Sequence, residues 1–150
     1  MKRVIISDTH IGTRFYKAEE LLQFIKSVDC DELILAGDII DFIKIPVFTS
    51  RCIEILSEIT NHKKIIYVVG NHDECLVGTV GLIIKNMSFV KQYEFLDNNR
   101  KFRIEHGDIY DKGVLHNRIF IKFLSIFQNI LEFTFNFDFT TWWTEIQIKK

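Results

Sequence analysis

The chain has little of what marks a secreted, membrane-spanning or nucleic-acid-binding protein. Its three cysteines, Cys30, Cys52 and Cys75, are odd in number and widely spaced, which argues against a disulfide framework and excludes a Cys-x-x-Cys zinc or redox motif. Reduced, mostly buried thiols in the cytoplasm are the expected state. The formal net charge of -1 supplies no global basic field, so nucleic acid is not indicated as a partner. The apolar run after Lys2 and Arg3 stops at Ser7-Asp8, too short for the core of a signal peptide. The later apolar stretch from Ile119 to Trp143 is interrupted by Lys122, Gln128, Asn129, Glu132, Asn136 and Asp138 before it could cross a bilayer. No repeat or low-complexity linker is present, and the one proline, Pro46, marks a loop. With 47% hydrophobic and 26% charged residues over 150 positions, one globular domain with a real core is expected.

What the chain does carry is a repeated grammar. KRVII precedes Asp8-Thr9-His10, ELILA precedes Gly37-Asp38-Ile39-Ile40-Asp41, KKIIYVV precedes Gly70-Asn71-His72-Asp73, and KFRIE precedes His106-Gly107-Asp108, with Asp111 three residues further on. Short apolar runs bounded by Gly, Asp or Asn predict strands buried on both faces. The amphipathic stretch from Ala18 to Val28 predicts one helix, with Leu21, Leu22, Phe24, Ile25 and Val28 on one face. Cys52 to Thr60 predicts a second, with Ile53, Leu56 and Ile59. A βαβαβ unit follows, then a hairpin from Phe89 to Glu105 turning at Asp97-Asn98-Asn99. In an open α/β sheet, loops at the carboxyl ends of neighbouring strands converge on one crevice, so all four segments can meet there.

A lone Asp-x-His says little. Four such segments, each after a strand, point to a site that holds two divalent ions roughly 3.5 to 4 Å apart around a phosphoryl group. Such a site needs one carboxylate in reach of both ions, and Asp38 is the candidate. Asp8 and His10 are assigned to the first ion, Asn71 and His106 to the second. Mixed imidazole, carboxylate and amide donors favour manganese, with iron, zinc or nickel as alternatives, over magnesium or calcium. His72 is read as the catalytic acid or charge stabiliser, with Asp73 fixing its tautomer. Asp41, Asp108 and Asp111 are read as groups that orient the ligands. Arg14, Lys112, His116 and Arg118 are the nearest candidates for contact with a substrate phosphate or its substituents.

The motifs DTH, GDIID, GNHD and HGD resemble the calcineurin-like metallophosphoesterase superfamily. HGDIYD followed by a helical stretch is similar to the branch that contains UDP-2,3-diacylglucosamine hydrolase. The resemblance implies an α/β fold with a sheet sandwich flanked by helices, a dinuclear Mn-type centre, and hydrolysis of a phosphate ester or pyrophosphate bond. It also implies a small phosphorylated substrate, in that branch a nucleotide-sugar lipid met from the cytoplasm at the inner membrane face. The superfamily's closing Gly-His-x-His is absent, and His116, the one histidine after His106, resembles instead a histidine of the family's inserted helical region. A carboxyl-terminally incomplete sandwich is therefore expected, with the missing ligands lost or donated by another chain, as in a homodimer. The alternative to an active hydrolase is a metal-binding remnant with weak or no turnover.

Residues 1–112 are read as the core and 113–150 as a helical, Phe-rich, cap-like segment of the same domain. Phe120, Phe123, Leu124, Phe127, Ile130 and Leu131 recur at helical spacing. This apolar face is expected to pack on the sandwich, to be left bare, or to hold the acyl chains of a lipid substrate.

Overall fold

Residues 3–6, 32–36 and 65–68 form adjacent parallel strands, as their near-continuous Val, Ile and Leu content demands of segments covered on both faces. The structure, a computed structural model, describes residues 1–43, 48–110, 118–138, 141–142 and 145–146. In chain order these hold β1 (Arg3–Ile6), α1 (Ala18–Ser27), β2 (Glu32–Ala36), α2 (Ser50–Thr60), β3 (Ile65–Val68), β4 (Ile83–Ile84), β5 (Met87–Val90), β6 (Gln92–Asp97), β7 (Arg100–Glu105) and α3 (Arg118–Phe135). The main sheet has the order β1-β2-β3-β5-β4, with β4 antiparallel at its edge. The second sheet is the hairpin β6-β7.

Alternation along the central strands divides the core. Leu33, Leu35, Ile65 and Tyr67 face the two helices and pack on Leu22, Ile25, Ile55 and Ile59. Ile34, Ile66 and Val68 face the other way, onto Tyr93, Phe95 and Ile104 of the hairpin. The α/β sandwich with a parallel-dominated sheet and flanking helices is thus the one expected.

Two local readings are corrected. Helix α2 buries Cys52, Ile55 and Ile59 and leaves Ile53 exposed. Thr49 caps it by accepting from Cys52 N–H, so the helix starts earlier and its inward face is shifted by one residue. Phe89 is not part of the hairpin: it lies in β5, parallel to β3, and the hairpin begins at Gln92. Its turn is as expected, because Asn98 and Asn99 both adopt positive φ, 47° and 61°, the geometry of a two-residue type I′ loop. Of the outcomes open for the aromatic stripe of α3, it is left bare among the described residues: Phe123, Phe127, Ile130 and Phe133 are all exposed. No helix among the described residues is long and apolar enough to cross a membrane.

Candidate metal centre and its cleft

Beyond the ends of β1 and β2 the backbone ladder continues into the loops. Asp8 N–H donates to Gly37 O at 3.1 Å, His10 N–H to Asp38 O at 3.0 Å and Ile11 N–H to Ile39 O at 2.8 Å. Three residues in this stretch, Asp8, His10 and Asp38, have φ of 55°, 45° and 53°. Left-handed backbone is uncommon outside glycine and marks positions where the surrounding structure imposes it. Two glycines allow the loops to close: a Cβ on Gly37 would strike the His106 ring, and one on Gly70 would strike the Asp38 carboxylate.

These loops bring Asp38, 4% exposed, to the centre of the candidate ligands. Its Oδ1 accepts from His72 N–H at 2.9 Å. Its Oδ2 stands 3.4 Å from His106 Nε2, which in turn lies 2.9 Å from Asn71 Oδ1. On the other side, Asp8, His10 and Asp38 offer donor atoms all within 4.8 Å of one another. Asp38 therefore belongs to two donor sets, one with Asp8 and His10 and one with Asn71 and His106. Burial would raise the Asp38 carboxyl, but hydrogen bonds from His106 and the His72 amide outweigh it and hold it below the usual carboxylate range. The same contact with Asp38, partly opposed by burial, pushes His106 up to about 9.

The carboxylate that faces the His72 ring is Asp41, not Asp73. His72 Nδ1 lies 2.9 Å from Asp41 Oδ2, and His10 Nδ1 lies 3.2 Å from the same oxygen. The two imidazoles meet edge to face at 4.6 Å. Asp73 is fully buried and turned beneath the loop. Its oxygens accept from Gly70 N–H at 2.5 Å, Ile39 N–H at 3.2 Å and Tyr67 O–H at 2.7 Å. It ties the β2 and β3 exits together and does not orient His72.

The remaining candidates divide. Asp108 lies in the short helical turn after His106 and acts on His106 through its charge. Arg14 is turned away from the centre, donating to Phe133 O at 3.2 Å and Asn136 Oδ1 at 2.9 Å, so it anchors the end of α3 instead of presenting a phosphate contact. Asp111, Lys112 and His116 lie outside the described residues, as does the side chain of Arg118.

An open cleft of about 800 Å³ leads from the centre. Asp8, His10, Asp41 and His72 form its floor, Tyr16, Glu20 and Phe24 one wall, and Ser125, Gln128 and Glu132 of α3 the other. That second wall was missed in the sequence, although Ser125, Gln128 and Glu132 fall at i, i+3 and i+7 and so share one helix face.

A comparison with protein families matches residues 1–149 to the family described as calcineurin-like phosphoesterase. A comparison with curated proteins gave no match.

Proposed function

The chain belongs to the calcineurin-like phosphoesterase family, and from that premise we propose that it hydrolyses a phosphoester at the cluster where β1, β2, β3 and β7 end. The observation that carries the reading is the double membership of Asp38. A buried carboxylate that faces Asp8 and His10 on one side and Asn71 and His106 on the other fits a bridge between two divalent ions. Asp8 and His10 would hold the first ion with Asp38, and Asn71 and His106 the second. The mixed donor set suits manganese, with iron, zinc or nickel as alternatives. When bound, such ions polarise a phosphoryl oxygen and lower the pKa of water.

The chain's own groups do the rest. Asp41 accepts from His72 Nδ1–H and so fixes which ring nitrogen points onward. Nε2 of His72, 4.0 Å from Asp38 Oδ2, is then the atom that carries a proton to the departing oxygen. Asp73, Gly37 and Gly70 keep the loops in register and leave no side chain in the way. A nucleotide-sugar lipid would ask α3 to turn its aromatic stripe toward the cleft. The outward direction of that stripe favours a soluble phosphoester.

The test is Mn-dependent hydrolysis of bis(p-nitrophenyl) phosphate. His72→Ala is expected to lower kcat by about 10²- to 10⁴-fold while manganese is still retained. Turnover that persists in chelator, or that ignores His72→Ala, overturns the reading; no turnover at all favours the inactive remnant.

A further inference from the structure

The polar stripe of α3 has a position that the hydrolytic cluster does not explain. Ser125, Gln128 and Glu132 line the cleft that opens on His10 and His72, while Phe123 and Phe127 of the same helix are 65% and 52% exposed. A helix that leaves its apolar face in solvent and turns its polar face inward has reversed the usual preference. Glu132 is only 2% exposed, and Gln128 Nε2 donates to its Oε1 at 2.7 Å. Burying a carboxylate beside a cleft is costly unless donors meet it.

The charge of the cleft narrows what can enter. Outside the candidate metal cluster its described lining carries three carboxylates, Glu20, Glu132 and Asp138, against one cation, Lys17. A second phosphate placed there meets like charge. An acyl chain would strip water from the half-buried Gln128 and Ser125 without replacing it. Hydroxyl and ammonium groups, by contrast, donate to carboxylate oxygens, and such charge-assisted bonds are the strong ones. The aromatic rings of Tyr16 and Phe24 offer stacking surface for the carbon skeleton.

We propose that the cleft between α1 and α3 is the leaving-group subsite of this phosphoesterase, taking a non-anionic, hydrogen-bond-donating alcohol, with Glu132 held by Gln128 as the specificity-determining acceptor. The proposal rests on the hydrolytic reading above. In the reaction, water forms a new P–O bond, the P–O bond to the alcohol breaks, and one proton passes from the water to the departing alcohol. The alcohol leaves along α3. A polyol and an amino alcohol share the required chemistry.

The test uses the full chain loaded with manganese and four methyl phosphodiesters that differ in the other alcohol: glycerol, ethanolamine, octanol and glycerol phosphate. Release of methyl phosphate is followed by phosphorus NMR. The glycerol or ethanolamine ester is expected to exceed the octyl and glycerol phosphate esters at least about tenfold in kcat/KM, at the roughly 1.4 kcal/mol that one charge-assisted hydrogen bond supplies. Glu132→Gln is expected to shrink that ratio about fivefold or more, and more for ethanolamine than for glycerol. Equal rates, a preference for the octyl or glycerol phosphate ester, or a ratio that Glu132→Gln leaves unchanged would sink the subsite.

Should Glu132→Gln fail to fold, the wild-type ranking decides. A binding arm separates the subsite from the hydrolytic reading. Ethanolamine and glycerol are expected to shift the Gln128 side-chain amide in proton–nitrogen spectra of chelated protein, and octanol and glycerol 3-phosphate are not. Those shifts without turnover of any ester would retain the subsite and remove the hydrolase; turnover without selectivity would do the reverse.

Discussion

Strand β2 is bracketed by two buried carboxylates, Glu32 at its start and Asp38 just past its end, and they are balanced in opposite ways. Glu32 accepts from Arg3 Nε at 2.8 Å, Lys64 Nζ at 2.6 Å and Tyr93 O–H at 2.7 Å. Two fixed cations and a phenol close that charge, and the backbone around it is ordinary strand. Asp38 has among the described residues two histidines and a backbone amide, on a loop held at positive φ. Its imidazole partners are of a type that can give up a proton near neutral pH. One end of the strand is a lock between β1, β3 and β6; the other is strained and open to an exchangeable charge, as functional sites tend to be.

The sharpest way to break this contrast is Asp38→Asn. Asparagine still accepts from His72 N–H, so the fold is expected to survive, as circular dichroism would verify. Hydrolysis is expected to fall by about 10³-fold or more, roughly 4 kcal/mol of barrier. Manganese retained per chain after dialysis, by elemental analysis, falls with it. Full activity in Asp38→Asn would remove the carboxylate from the centre.

Glu32→Ala probes the other end and should behave in the reverse sense. Removing a fully buried carboxylate leaves Arg3 and Lys64 without their shared partner, and breaking a buried pair this way costs roughly 4 kcal/mol. Urea unfolding would show the loss. Activity of the protein that remains folded should stay near wild type, since Glu32 lies at the far end of the strand from the cluster.

The two ends differed in how far they were legible beforehand. Asp8, His10, Asp38, Asn71 and His106 could be placed together because each directly follows a strand, and strand exits converge whatever the loops do. The partner of His72 could not, because it depends on which way one loop turns. The Gly70 turn draws Asp73 inward onto Tyr67 and two amides, which leaves the ring to Asp41. Glu32 gave no sign of its role within an apolar run, since the lock depends on the register that sets Arg3 opposite it. The orientation of α3 was equally hidden. Its sequence has both an aromatic stripe and a polar one, and periodicity alone does not say which faces inward.

A pH scan of chelated protein should separate the ends by sign. His106 is raised from its ordinary 6.5 to about 9. Its pairing with Asp38 therefore adds stability that is complete below pH 6.5 and lost as pH rises through about 9, up to about 3 kcal/mol at 1.36 per unit. At Glu32, burial raises the carboxyl but bonds from Lys64, Tyr93 and Arg3 outweigh it, leaving it below its ordinary 4.5. That contribution is present above pH 4.5 and is lost as pH falls through the lowered value. Urea midpoints between pH 3 and pH 10 would record both arms. His106→Asn should flatten the alkaline arm and, by releasing the Asp38 carboxyl, soften the acid arm as well, whereas Glu32→Ala should flatten the acid arm alone.

The smallest effect tests whether the lock is redundant. Lys64 is 50% exposed at its side chain whereas Arg3 is 15% exposed, and the Arg3 guanidinium also lies 4.1 Å from the Phe95 ring centre. Water screens the lysine and replaces much of what it gives Glu32, so Lys64→Ala is expected to cost no more than about 1 kcal/mol in urea unfolding. Arg3→Ala, which loses packing as well as charge, should cost more. The double variant is the informative one. If either cation alone suffices, removing both will exceed the sum of the single losses, because only then does the buried carboxylate keep Tyr93 as its one remaining donor among the described residues. Additive losses would instead mean that each cation acts on Glu32 independently, and the lower end of β2 would be a pair of separate bridges.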